Sequence, residues 1–449
     1  MVAKLKPMKG RQTRQAAAGA KWLRAVVANE KGEIFDLAGY GAGGCDGPLT
    51  ERLSKAQTRP LPFGSELMFL PDRLPVLFDL HTERWVTLAE NPHVPGERIF
   101  PVAAFNSPGY VITHTCAYAE APGADFLPLF SYGAVGWQGG RFRSAAVQVD
   151  DEPRQDLRRM PHAKIMAGIR RLRRRMPENR LRAHLEKCAL TYGCPAGKNF
   201  FLARYEAPLP TATTCNARCL GCISLQSEGS IPCSQARIDF TPTAAEIAEV
   251  ALAHIDKVKQ AVVSFGQGCE GDPLMAADTI AEGVRLIRAA TDQGTINLNT
   301  NGSLPRKIEL LLAAGVDSVR ISMNSVRASC YTAYFRPKGY RFADVLASID
   351  LAVGHGAHVA INYLNCPGFS DTPEERDALT EFVRRHPIQM IQWRNLNFDP
   401  VRYLNLMNRA ASHHAPVGMR PLLDQVSRAH PHLRYGYFNP PKERFQSLR

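Results

Sequence analysis

The chain has 449 residues, of which 45% are apolar and 22% charged, and its formal net charge is +13. That length exceeds one ordinary core and predicts two or three domains of a globular protein. No run of about 18 apolar residues occurs, which excludes a long hydrophobic spanning helix, while the basic balance suits either an anionic partner or solubility alone.

Residues 1–20 read as a basic tail, because no acid precedes Glu30. Such a segment suits a transit peptide or a disordered arm. It lacks the apolar stretch of a secretory signal, so the expected location is the cytoplasm. Residues 21–154 hold short apolar stretches broken by Pro and Gly, as in "RAVVANEKGEIFDL" and "LPVLFDLHTERWVTL". This pattern predicts a mixed, β-rich accessory domain. Residues 155–198 read as a basic helical linker interrupted at Pro177, with Arg170, Arg171, Arg173, Arg174, Arg175, Arg180 and Arg182 on it. These arginines are either a solvated helix face or a patch that tracks phosphates.

From residue 199 the pattern changes. Buried-type strands are predicted at 260–266, 295–302, 317–325, 358–365 and 390–397, with a first strand in the segment before Cys215. Helices are predicted at 242–258, 273–291, 304–314, 341–355 and 373–386. Thr241-Pro242, Asp272-Pro273 and Thr372-Pro373 supply helix-start signals. Alternating strands and helices predict an α/β fold with a parallel sheet over 199–405. Six strands are too few for an eight-fold barrel, which leaves a partial (β/α)6 barrel or a doubly wound sheet, followed by a C-terminal extension at 406–449.

The chain has eleven cysteines. Three of them, Cys215, Cys219 and Cys222, form C-x3-C-x2-C just after the first predicted strand, where βα folds place working residues. Zinc would want a fourth ligand, for which Cys233 is available. A disulfide would leave one thiol over. An iron–sulfur cluster held by three thiolates keeps one iron open to a small molecule. Upstream, Cys188 and Cys194 are either packed thiols or, with Cys233, ligands of an auxiliary cluster.

C-x3-C-x2-C at the end of the first strand of a βα series resembles the radical S-adenosylmethionine (radical SAM) superfamily. The resemblance covers about residues 205–400 and leaves the N-terminal half without a family. It implies a partial (β/α)6 radical SAM barrel in the C-terminal part. It also implies a [4Fe–4S] cluster on Cys215, Cys219 and Cys222, with S-adenosyl-L-methionine chelated at the open iron. "SFGQGCEGDPL" (264–274) resembles the superfamily's glycine-rich stretch after the second strand. Carried over, Gly266, Gln267 and Gly268 let the backbone approach the methionyl moiety, and Glu270 pairs with its ammonium. Cys269, between the glycines and Glu270, departs from that pattern. So does Gly221, where the superfamily usually has an aromatic residue. Asn299, Ser322, Asn324 and Arg394, at the ends of later strands, are further candidate cofactor contacts, and Arg320 lies on the fourth of these strands.

The implied function is reductive cleavage of S-adenosylmethionine to a 5′-deoxyadenosyl radical that abstracts hydrogen from a substrate. Electrons would come from a donor such as flavodoxin or ferredoxin. RNA is one substrate class, suggested by the charge, and a peptide or small metabolite is the other. The competing class is a non-catalytic iron–sulfur or zinc protein that binds nucleic acid. It would need the cysteines but not Glu270 or the glycine turn.

Overall fold

Hydrophobic patterning changes character near residue 150, and the secondary structure changes with it. The computed structural model describes residues 21–226 and 231–445. The basic tail expected at 1–20 lies outside them. Contacts divide the chain into two units, each built from several stretches. One comprises residues 1–149, 365–377 and 395–426, and the other 150–364, 378–394 and 427–449.

In the first unit, short strands between Arg24 and Gln148 pair antiparallel, thirteen of them in one sheet among the described residues. Alternating residues such as Val26 and Ala28, and Ala25 and Val27, fall into two separate apolar clusters. The β period of two sends neighbours to opposite faces and so serves both clusters at once. Arg73 is only 1% exposed. Its guanidinium meets Asp399 at 3.2 Å and Glu120 at 3.0 Å. Asp399 also accepts from Val401 N and Arg402 N, and so caps the helix Pro400–Ala410.

The second unit opens with helices α1 (His162–Arg175), α2 (Arg180–Thr191) and α3 (Pro195–Phe201). The break expected at Pro177 separates α1 from α2. The parallel sheet then runs in strict order: β1 (Glu206–Pro208), β2 (Val262–Phe265), β3 (Thr295–Thr300), β4 (Ser318–Met323), β5 (His358–Asn365), β6 (Met390–Asn395) and β7 (Arg434–Gly436). Between the strands lie α4 (Ala244–Ile255), α5 (Ala277–Ala290), α6 (Pro305–Ala314), α7 (Ala328–Phe335), α8 (Phe342–Gly354) and α9 (Pro373–Arg385). This is a partial barrel, as expected, with a short seventh strand added from the C-terminal region.

Sequence signals set the helix limits. α4 starts two residues later than expected, because Thr243 and Glu246 form a capping box: each side chain bonds the other's backbone N–H. α5 buries Ile280, Ala281, Val284 and Ile287 on one face. Gly283 lets that face approach α4, since a Cβ there would lie 3.1 Å from Ile247 Cγ2. Alternation along the strands makes one sheet surface polar. Ser264, Asn297, Asn299, Arg320, Ser322, Asn362, Gln392 and Arg394 occupy third or fifth positions of β2 to β6. Hydrogen bonds link them in pairs, among them Asn297 to Ser264, Asn362 to Ser322 and Arg320 to Gln392. β1 and β7 do not pair with each other. Asn439, just after β7, donates to Glu206 of β1 at 2.9 Å and to Ser264 at 3.4 Å.

Candidate functional site

The chain leaves β1 and enters a loop that carries Cys215, Cys219 and Cys222. Backbone bonds fix this loop from two sides. Arg218 N and Leu220 N donate to Phe335 O and Tyr334 O at the end of α7, and Lys338 N donates to Asn216 O. On the other side, Gly271 N donates to Ala212 O at 2.7 Å and Asp272 N to Thr214 O at 2.9 Å. The cysteine loop is therefore stitched to the turn that follows β2.

Hydrogen-bond donors already point at two of the sulfurs. Ala217 N lies 3.4 Å from Cys215 Sγ, and Arg237 Nη2 lies 3.5 Å from Cys222 Sγ. Burial, then the charge of Asp272, pushes the Cys215 thiol up to about 12. Burial and the two neighbouring cysteines raise Cys219 further. A metal centre bound there would take the place of the thiol protons. Three thiols set close together, with N–H groups aimed at sulfur, fit a thiolate-bound iron–sulfur centre.

The turn after β2 is Gly266-Gln267-Gly268-Cys269-Glu270. Glu270 is 4% exposed. Its Oε1 accepts from Gly266 N (2.8 Å) and Gln267 N (2.7 Å), and its Oε2 from Thr211 N (2.7 Å) and Ala212 N (2.9 Å). Burial pushes its pKa up to about 7, against those four donors, which favour the charged form. The expected ammonium partner thus spends both oxygens on the protein's own backbone and clamps the turn to the start of the cysteine loop. Gly266 has a φ of +79°, and a Cβ there would lie 1.8 Å from Asn299 O. Gly271 is equally tight, 1.8 Å from Thr214 O. Neither position has room for a side chain. Gly268 is packed against Ile223 and Gln235, while Gln267 donates its side-chain amide to Ser264 O.

The later candidates take several places. Asn299 donates to Phe265 O and Gly266 O, which supports the turn from behind. Ser322 accepts from Asn362 on the polar sheet face. Asn324 is buried and donates to Cys330 O at 3.3 Å. Arg394 donates to Tyr437 O, with its guanidinium 3.7 Å from the Tyr437 ring centre. Arg320 lies on the same face as Arg394 and donates to Gln392 at 2.7 Å. Burial, then the like charge of Arg394, lowers the Arg320 pKa to about 9.

Two sets of residues were not among the sequence-derived site candidates. Asp272 accepts from Thr300, Asn301 N and Leu274 N, and so ties the turn to the end of β3. Tyr331, Tyr334 and Phe335 of α7, with Tyr340, form a buried aromatic group beside the cysteines. Their spacing in "YTAYF" (331–335) was visible, but only tertiary contact brings them to the loop.

Four of the seven arginines in the run are paired with three acids. Arg173 and Arg182 both pair with Glu186, Arg180 pairs with Glu246, and Arg175 lies 3.8 Å from Asp256.

A family model described as the Radical SAM superfamily matches residues 209–383, from the end of β1 through most of α9. This stretch is a radical SAM domain. The superfamily is one of enzymes that use a [4Fe–4S] cluster and S-adenosylmethionine, and the match covers less than half of the chain. No family covers the N-terminal region, and no curated protein matches the chain. Solved structures with a similar fold include a radical SAM methyltransferase from Sphaerobacter thermophilus, 15% identical with a TM-score of 0.36, covering 51% of this chain and 66% of that one. Streptococcus suis SuiB bound to S-adenosylmethionine is 12% identical with a TM-score of 0.36, covering 52% of this chain and 50% of that one. Methylornithine synthase is 13% identical with a TM-score of 0.34, covering 57% and 79%. The chain thus spans about half to two-thirds of the first two of these structures. No described helix is long and apolar enough to cross a membrane.

Proposed function

We propose that Cys215, Cys219 and Cys222 hold one [4Fe–4S] cluster, and that the turn after β2 receives S-adenosylmethionine beside it. The observation that carries this reading is the stitching of the cysteine loop to a glycine turn with no room for side chains at Gly266 and Gly271. When bound, the cluster supplies an electron that cleaves the sulfonium and yields a 5′-deoxyadenosyl radical. The protein's residues bind, orient and exclude water. Gly266, Gln267 and Gly268 offer backbone to the cofactor. Glu270 and Asn299 hold that backbone in place. Ser322, Asn324 and Arg394 are the further cofactor contacts in this reading. The buried aromatic group Tyr331, Tyr334 and Phe335 keeps water from the cysteines.

Within this reading the substrate is a peptide or small metabolite with an anionic group, and not RNA. Arg320 and Arg394 sit together on the polar sheet face, whereas four arginines of the run at 170–182 are paired with acids. Electrons come from a small donor of the flavodoxin or ferredoxin class.

Anaerobic reconstitution tests the proposal. About four irons and four sulfides per chain are expected, together with 5′-deoxyadenosine once a reductant and S-adenosylmethionine are added. Replacing the three cysteines with Ala removes both. Stoichiometric zinc on these cysteines in a colourless protein would defeat the reading.

A further inference from the structure

A second group of metal-ligating side chains lies behind the glycine turn. His184 and Cys188 are one helical turn apart on α2 and so share a face. Cys188 Sγ is 3.4 Å from His184 Nε2. Cys269 reaches the same point from the turn after β2, and the ligand atoms of His184, Cys188 and Cys269 all lie within 4.8 Å of one another. Cys188 and Cys269 are 2% and 6% exposed. Cys194 precedes α3, its backbone N–H donates to Cys188 O, and its thiol lies nearby but outside that 4.8 Å group.

We propose that His184, Cys188, Cys194 and Cys269 bind one zinc ion in a closed, structural site. Zinc takes four N and S ligands at about 2.0–2.3 Å in a tetrahedron, which sets neighbouring ligand atoms roughly 3.3–3.8 Å apart. His184, Cys188 and Cys269 are already close to that size, and the Cys194 thiol would turn in to complete the set. A cubane spreads its ligands over four irons and holds its thiolates farther apart than a single ion does. A Cys188–Cys269 disulfide would use two of the sulfurs and leave His184 and Cys194 unexplained. Zinc binding exchanges the thiol protons for the metal and transfers no electrons. Cys269 lies directly before Glu270, so the ion would pin the glycine turn to α2. The site is independent of the cluster assignment, since it shares no ligand with Cys215, Cys219 and Cys222.

The test uses the full chain with Cys215, Cys219 and Cys222 changed to Ala, so that iron at that loop does not interfere. The expected result is about one tightly held zinc per chain by elemental analysis. Cobalt(II) alone, added to the metal-free protein, should give the intense visible bands of a tetrahedral thiolate site. Changing Cys188 and Cys269 to Ser should abolish both signals. His184→Ala, the milder variant, should keep the fold and weaken zinc binding roughly tenfold or more. Three results would overturn the proposal: folded protein without tight zinc, four irons per chain in the triple variant, or a Cys188–Cys269 disulfide in anaerobically prepared protein. Unchanged zinc affinity in His184→Ala would do the same. Loss of the cluster in the parent with zinc retained would count against the cluster reading alone.

Discussion

Glu270 shows how one buried side chain can hold a turn, by accepting from four backbone N–H groups. Its four backbone donors need two oxygens that accept on both sides. Glu270→Gln keeps the shape but turns one oxygen into a donor, which leaves two buried N–H groups unpaired at about 1–3 kcal/mol each. The variant should therefore lose roughly 2 kcal/mol or more of stability and bind S-adenosylmethionine weakly, while its iron content stays near the parent's. Thermal unfolding and cofactor titration on one sample check this. Weak binding with unchanged stability would instead return Glu270 to direct contact with the ammonium. Gly271→Ala is the sharper probe of the stitch, because the added carbon would meet Thr214 O at 1.8 Å. A loss of about 1–3 kcal/mol or more is expected. Iron loading should fall with it, since Thr214 adjoins Cys215, and iron analysis after reconstitution reads the effect.

At the scale of elements, helix Pro400–Ala410 illustrates one residue serving two purposes. Asp399 caps that helix and also neutralises Arg73, which is buried in the strand-rich unit. Asp399→Ala removes the cap and leaves Arg73 with Glu120 as its remaining carboxylate partner. Breaking a buried pair costs about 3–5 kcal/mol, and the retained Glu120 places this variant near 3 kcal/mol. Asp399→Asn, which keeps a capping oxygen, should lose less. Denaturant unfolding of both variants beside the parent ranks the two contributions. The helices α1 and α2 teach a related lesson. Their arginines look like a phosphate-binding run, yet Glu186, Glu246 and Asp256 take up four of them.

At the scale of the whole molecule, stability depends on pH through histidines that fold neutral. His358, at the start of β5, stacks on Phe445 at 4.3 Å between ring centres. Burial and then the charge of Arg434 lower its pKa to about 4. An unfolded histidine titrates near 6.5. Between about pH 6.5 and 4 the unfolded chain therefore takes up a proton that the folded chain refuses. That difference lowers stability as pH falls through this window. His358→Phe keeps a ring and removes the titration. It should gain stability over the parent at pH 5, by about 1–2 kcal/mol after allowance for partial burial, and little at pH 7.5. Unfolding at the two pH values tests the sign, and an equal gain at both would remove His358 from the acid response.

The sequence by itself determined the alternation of strands and helices in the barrel. Each strand is a short β-type run and three helices have start signals, both properties of neighbouring residues, whereas α7 lay in a stretch where no helix was expected. It also determined the three-cysteine motif and the glycine turn, because their spacing is local. Tertiary structure decided what spacing cannot carry. It supplied β7, three residues long and too short to show a period. It also showed that Glu270 clamps the turn, because two of its four donors are Thr211 and Ala212, 59 and 58 residues away. Cys188 was grouped by proximity in sequence with Cys194 and Cys233, whereas the fold brings it to Cys269 on another element, with His184 one turn away. Side-chain partners at long sequence separation are set by packing, and packing leaves no periodic trace in the chain.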